Sequence, residues 1–110
     1  MAAFTEIVIE QGATFETTVT VNDIYNNAVN LANYSTESQM RKSYTSSTAY
    51  SLNTEVSNAS EGIITLSMDA ANTASLPAGR MLYDLKITSN AGVVTRVVEG
   101  IAVILPAITR

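Results

Sequence analysis

Residues 76–105, LPAGRMLYDLKITSNAGVVTRVVEGIAVIL, restrict the fold of this chain more than any other stretch. Met81, Tyr83, Leu85 and Ile87 alternate with Leu82, Asp84, Lys86 and Thr88, which is the two-residue period of a half-buried strand. Ser89-Asn90-Ala91-Gly92 holds residue types that tolerate a tight reversal, and β-branched residues resume at Val93 and Val94. The stretch therefore reads as one long hairpin, the spine of a β-sandwich. Gly100 interrupts its second arm and predicts a β-bulge there, one that turns Ile101 and Val103 inward without burying Glu99.

The rest of the chain repeats the strand signal. Residues 5–10 form a short strand with Ile7 and Ile9 on one face, broken by Gln11-Gly12. Residues 13–21 follow, with Phe15, Val19 and Val21 opposite a row of Thr and Glu. After an Asn-rich turn at 22–27, Leu31 plugs the core. Residues 34–44 make a third strand in which Met40 alone is strongly apolar, so an edge or a wet face is expected. Strands with Leu52 and Val56, then with Ile64, Leu66 and Met68, face inward next. Asp69 is placed to cap a helical turn, and residues 69–75 allow no more than one short turn of that kind. Turn signals recurring about every 8–12 residues, without a long helical period, predict an all-β chain. The expected fold is an immunoglobulin-like antiparallel β-sandwich of roughly seven strands, a single domain over residues 1–110. The Cys and Trp of an antibody core are missing, so the match is to architecture alone.

Composition narrows the chemistry. The chain has no Cys and no His, which removes disulfides, thiolate metal sites, the commonest general base and every Ser-His-Asp or Cys-His arrangement. Its acidic residues are scattered, and no phosphate loop, dinucleotide fingerprint or nucleophile elbow occurs. No catalytic residue, cofactor or metal is expected. Asp23 and its Asn neighbours match no calcium loop and read as a turn. A net charge of -4 with no run of Lys or Arg argues against nucleic acid as a partner. The N-terminus lacks a signal-peptide pattern and no segment could span a bilayer, so folding in a cytoplasm and no membrane partner are expected. Asn33-Tyr34-Ser35 and Asn58-Ala59-Ser60 are chance glycosylation-type triplets in a Ser-rich chain.

Charged residues make up 15% of the chain, against roughly 25% in typical soluble domains, so part of the surface is expected to be covered by protein. A surface solvated by Ser, Thr and Asn is the other account. Pro77 and Pro106 both lie at strand ends, which leaves strand edges unguarded and predicts self-association. Arg41 and Lys42 point to opposite faces of a strand and cannot form one anion site. Asp84, Lys86, Arg96 and Glu99 are placed for cross-strand ion pairs. The candidate interaction loop is Tyr44-Thr45-Ser46-Ser47-Thr48-Ala49-Tyr50, with Tyr44, Ser46, Ser47 and Tyr50 as its contact residues, since Tyr offers rigid amphipathic area. A recognition loop and a plain strand connection both suit this composition.

Leu76-Pro77-Ala78-Gly79-Arg80, Tyr83-Asp84-Leu85, Gly92 and Val94-Thr95-Arg96-Val97-Val98-Glu99-Gly100 with Val103 carry a further resemblance. With Gly12, Phe15, the Thr-rich second strand and Asn30-Leu31, they resemble small immunoglobulin-like domains of tailed-phage virion proteins, nearest to the N-terminal domain of baseplate upper proteins. The resemblance covers nearly the whole chain. It implies a structural, non-enzymatic protein located in the virion, a tail or baseplate component or a small capsid-decorating subunit. It also implies partners among other virion proteins, multi-copy assembly and no catalytic residues. A receptor- or carbohydrate-binding module using the 44–50 loop is the alternative.

Overall fold

The computed structural model describes residues 3–23 and 25–108. Eight strands and one helical turn follow in order: β1 (Ala3–Phe4), β2 (Ile7–Glu10), β3 (Phe15–Thr20), β4 (Ser35–Arg41), β5 (Tyr50–Asn58), β6 (Ile63–Met68), α1 (Ala70–Ala74), β7 (Gly79–Thr88) and β8 (Val94–Leu105). The chain is all-β, as its periodicity requires. Strand order runs β1-β8-β7-β4-β5-β6-β3, and β2 continues along the same side of β8 as β1. β5 is the corner: Tyr50, Ser51 and Leu52 pair with β4, while Asn53 onward pairs with β6.

Alternating burial builds the interior. Met81, Tyr83, Leu85 and Ile87 of β7 share one buried cluster with Ile64, Leu66 and Met68 of β6 and Val98, Ala102 and Ile104 of β8, completed by Ile7, Ile9, Phe15, Val21, Leu31, Met40, Leu52 and Leu76. At about 1.5–3 kcal/mol for each fully buried large apolar side chain, this cluster is the main stabilising term, since no cross-link exists. The helical turn forms where Asp69 accepts the Asn72 amide at 2.9 Å. It is anchored by Thr73, whose buried hydroxyl lies 2.8 Å from the Ala13 carbonyl and accepts the Gly12 amide at 3.1 Å. That contact fastens α1 to the β2–β3 turn.

Three expectations are corrected. The sheet is mixed, because β1 and β2 run parallel to β8. Their alternation is the same in either direction, so the pattern could not tell parallel from antiparallel. β4 is interior to the sheet, hydrogen-bonded to β7 and β5, with Ser38 and Met40 buried. The edge is thus excluded, while the wet face is present in Glu37, Gln39 and Arg41; on the opposite side Ser38 satisfies its hydroxyl internally, donating to the Asp84 carbonyl at 2.5 Å.

The third correction concerns the bulge, which sits at Val97 instead of Gly100: pairing runs in step from Gly79↔Ile104 to Leu85↔Val98 and resumes at Lys86↔Arg96. Inward residues of β8 are consequently Val98, Gly100, Ala102 and Ile104, with Ile101 and Val103 half-buried. Gly100 serves a different purpose. A Cβ there would lie 1.8 Å from the Thr5 carbonyl oxygen, so only glycine lets the segment between β1 and β2 cross β8 so closely.

Candidate binding groove

The register of β8, β7 and β4 lines up polar side chains on their outer face. Phe4, Glu99, Asp84 and Gln39 are successive partners across four strands and form one row. At roughly 4.8 Å per strand the row spans about 14 Å. Arg96, Lys86 and Glu37 form the adjacent row on one side, and Ile101, Leu82 and Arg41 the one on the other. These rows, Ile101 apart, floor a groove of about 260 Å³, with Phe4 and Tyr44 among its lining. Both rings are open to solvent, Phe4 at 70% and Tyr44 at 76% exposure.

Ion pairs and hydrogen bonds within the chain brace the floor. Arg96 reaches Asp84 across to β7 at 3.3 Å, the kind of cross-strand pair the sequence placed there, and Glu99 within β8 at 3.1 Å. These pairs are partly exposed and stabilise by no more than about 1 kcal/mol. Their effect is geometric, fixing one guanidinium between two carboxylates. Arg41 donates to the Ser46 carbonyl at 2.6 Å and approaches Gln39 at 3.4 Å. That bond pins the 42–48 loop against the end of β4. Lys86 and Glu37 are register partners, yet neither makes an ion pair within 4.0 Å among the described residues. Beneath the groove Tyr83 donates to the Thr5 carbonyl at 2.7 Å, and burial pushes its phenol up to about 12.

The predicted contact residues separate. Tyr44 joins the groove, and Ser46 contributes its carbonyl to Arg41. Ser47 is exposed, while Tyr50 opens β5 and packs partly buried against the core. The loop is thus split between a plain connection and one groove residue. Sequence reasoning missed Phe4, Glu37 and Gln39, because their alignment appears only once β1 and β4 are known to flank β8 and β7. Asp23 is a turn residue, its Oδ1 accepting the amides of Tyr25 and Asn27. Among the described residues no group of three or more acidic side chains could hold a metal ion.

A second depression, about 430 Å³, lies between β2 and β3 and is lined by Glu6, Val8, Glu10, Thr14 and Glu16 among others. Here the strand pairing stops, since β3 bonds to β6 and β2 to β8. A comparison with known families finds no matching family model, and no curated protein matches the sequence.

Proposed function

We propose that this chain is a structural, non-enzymatic protein of a bacteriophage virion, a tail or baseplate component or a small capsid-decorating subunit, working through contacts with its own copies and other virion proteins. Its fold is read as an immunoglobulin-like sandwich, in which β1, β2, β8, β7 and β4 form one layer and β3 and β6 the other, with β5 crossing between them. The strand order and the short helical turn before β7 support that reading.

The observation that carries the proposal is the state of β3. It pairs with β6 along one side and with no strand on the other among the described residues, and Glu16 is its one charged residue. Monomeric proteins ordinarily guard such an edge with Lys, Pro or a bulge. Beside it the outer face of β3, β6 and β5 carries mainly hydroxyl and amide groups with two carboxylates, Thr18, Thr65 and Glu55 in one row and Glu16, Ser67 and Asn53 in the next. A hydroxyl-rich face bordered by an open edge suits repeated protein contacts. Electron microscopy of intact particles labelled with an antibody to this chain tests the proposal. Label at a fixed position on the particle is expected, and unlabelled intact particles would overturn it.

A further inference from the structure

We infer that the groove over β8, β7 and β4 is a binding site for a neutral oligosaccharide. The inference goes beyond a structural role and does not depend on where the protein resides. Its floor carries three carboxylates, Glu37, Asp84 and Glu99, and three cations, Arg41, Lys86 and Arg96, so its formal charge sums to zero. A polyanion would meet the carboxylates and a basic peptide the cations. A neutral polyhydroxyl chain meets neither obstacle, because every hydroxyl both donates and accepts: carboxylates take its protons, guanidinium and ammonium groups supply theirs, and Gln39 offers both.

The walls fit the same ligand. Phe4 and Tyr44 are largely exposed, and the negative face of an aromatic ring attracts the positively polarised C–H face of a sugar. A groove with aromatic walls and a few convergent polar groups is the usual form of a small-molecule site. Spare capacity exists on the floor. Asp84 and Glu99 each use one oxygen on Arg96, leaving the other free to accept, and Lys86 and Glu37 lie side by side unpaired among the described residues. Because Arg96 and Arg41 are already held, binding does not have to order them first.

The test is a glycan array carrying neutral and acidic oligosaccharides in parallel, with each bound glycan remeasured by titration calorimetry. The wild-type chain should bind at least one neutral oligosaccharide. Tyr44→Ala and Phe4→Ala should each weaken that binding about tenfold or more. Both residues are exposed, so folding should survive, as unchanged circular dichroism would show. Tyr25→Ala, at an exposed tyrosine outside the groove, should leave affinity unchanged. Raising salt from about 0.05 M to about 0.5 M should change the affinity less than about twofold, since no net charge is neutralised. Failure to bind any neutral glycan, binding confined to acidic glycans, or affinity insensitive to both Tyr44→Ala and Phe4→Ala would each overturn the inference.

Discussion

The phenol of Tyr83 donates a 2.7 Å hydrogen bond to the carbonyl of Thr5, a residue 78 positions away in sequence. Through it β7 holds the N-terminal segment against β8, directly above the gap left by Gly100. Burial favours the neutral phenol in the folded chain and raises its ionisation from 10.0 to about 12. Below pH 10 the phenol is neutral in both states and its contribution to stability is fully present. Between pH 10 and about 12 the unfolded chain ionises first, and stability falls with rising pH. Over that window the loss should be roughly 2–3 kcal/mol. Tyr83→Phe should abolish this component of the alkaline loss, as read by denaturant titration across the window. An identical pH profile for the variant would refute the assignment. Tyr83→Ala, by contrast, should cost roughly 3–5 kcal/mol at neutral pH, and a cost under about 1 kcal/mol would mean that the ring is not a core group.

Gly100→Ala places a methyl group where the Thr5 carbonyl already sits. The N-terminal segment must move away from β8 or the strand must distort. A destabilisation of about 1–3 kcal/mol is expected, the range for overpacking a tight site. Hydrogen exchange should quicken at the Thr5 amide, which bonds to the Glu99 carbonyl at 3.0 Å. Unchanged stability together with an unchanged Thr5 exchange rate would show that the crossing is looser than described.

Thr73→Val keeps the shape of a buried residue and removes its hydroxyl. The Ala13 carbonyl and the Gly12 amide both lose their partner. Leaving such groups unpaired costs about 1–3 kcal/mol. Thermal unfolding should register the loss, whereas a neutral result would mean that water replaces the hydroxyl at no cost.

Much of this fold was legible in the alternation itself. Met81, Tyr83, Leu85 and Ile87 are buried as their spacing indicated, and Asp69 caps the short helical turn. What stayed hidden depends on which strands become neighbours. The parallel pairing of β2 with β8 leaves no mark in the sequence of either strand. The burial of Ser38 beside Met40 was hidden because its partner, the Asp84 carbonyl, lies 46 positions away. Tyr44 was picked out by its composition as a contact residue, but Phe4 gained its place in the groove only through its pairing with Glu99. The reason for glycine at position 100 was not legible in the sequence, since a bulge and a close crossing both favour glycine and only the position of Thr5 separates them.

An open β3 edge used between copies makes a geometric prediction. Two β3 strands that pair antiparallel with their inner faces on the same side must match residues of equal parity. Centred on Thr18, that pairing sets Glu16 against Thr20 of the second copy and brings no like charges together. The two Thr18 Cα atoms would then be about 4.5–5.5 Å apart, within disulfide range. Because the chain has no cysteine, Thr18→Cys reports this contact without background. Mild oxidation should yield a covalent dimer with Thr18→Cys and little with Glu55→Cys, an exposed position on β5. Equal yields from the two variants would exclude a specific β3 pairing.

The proposed function makes this protein a fixed building block of a phage particle. Quantitative mass spectrometry of gradient-purified virions, normalised to the major capsid protein, tests it most directly. The account predicts that the chain co-sediments with intact particles at a constant copy number through successive purification steps. Recovery from the soluble infected-cell fraction alone, with its signal in virions falling toward zero as purification proceeds, would contradict it.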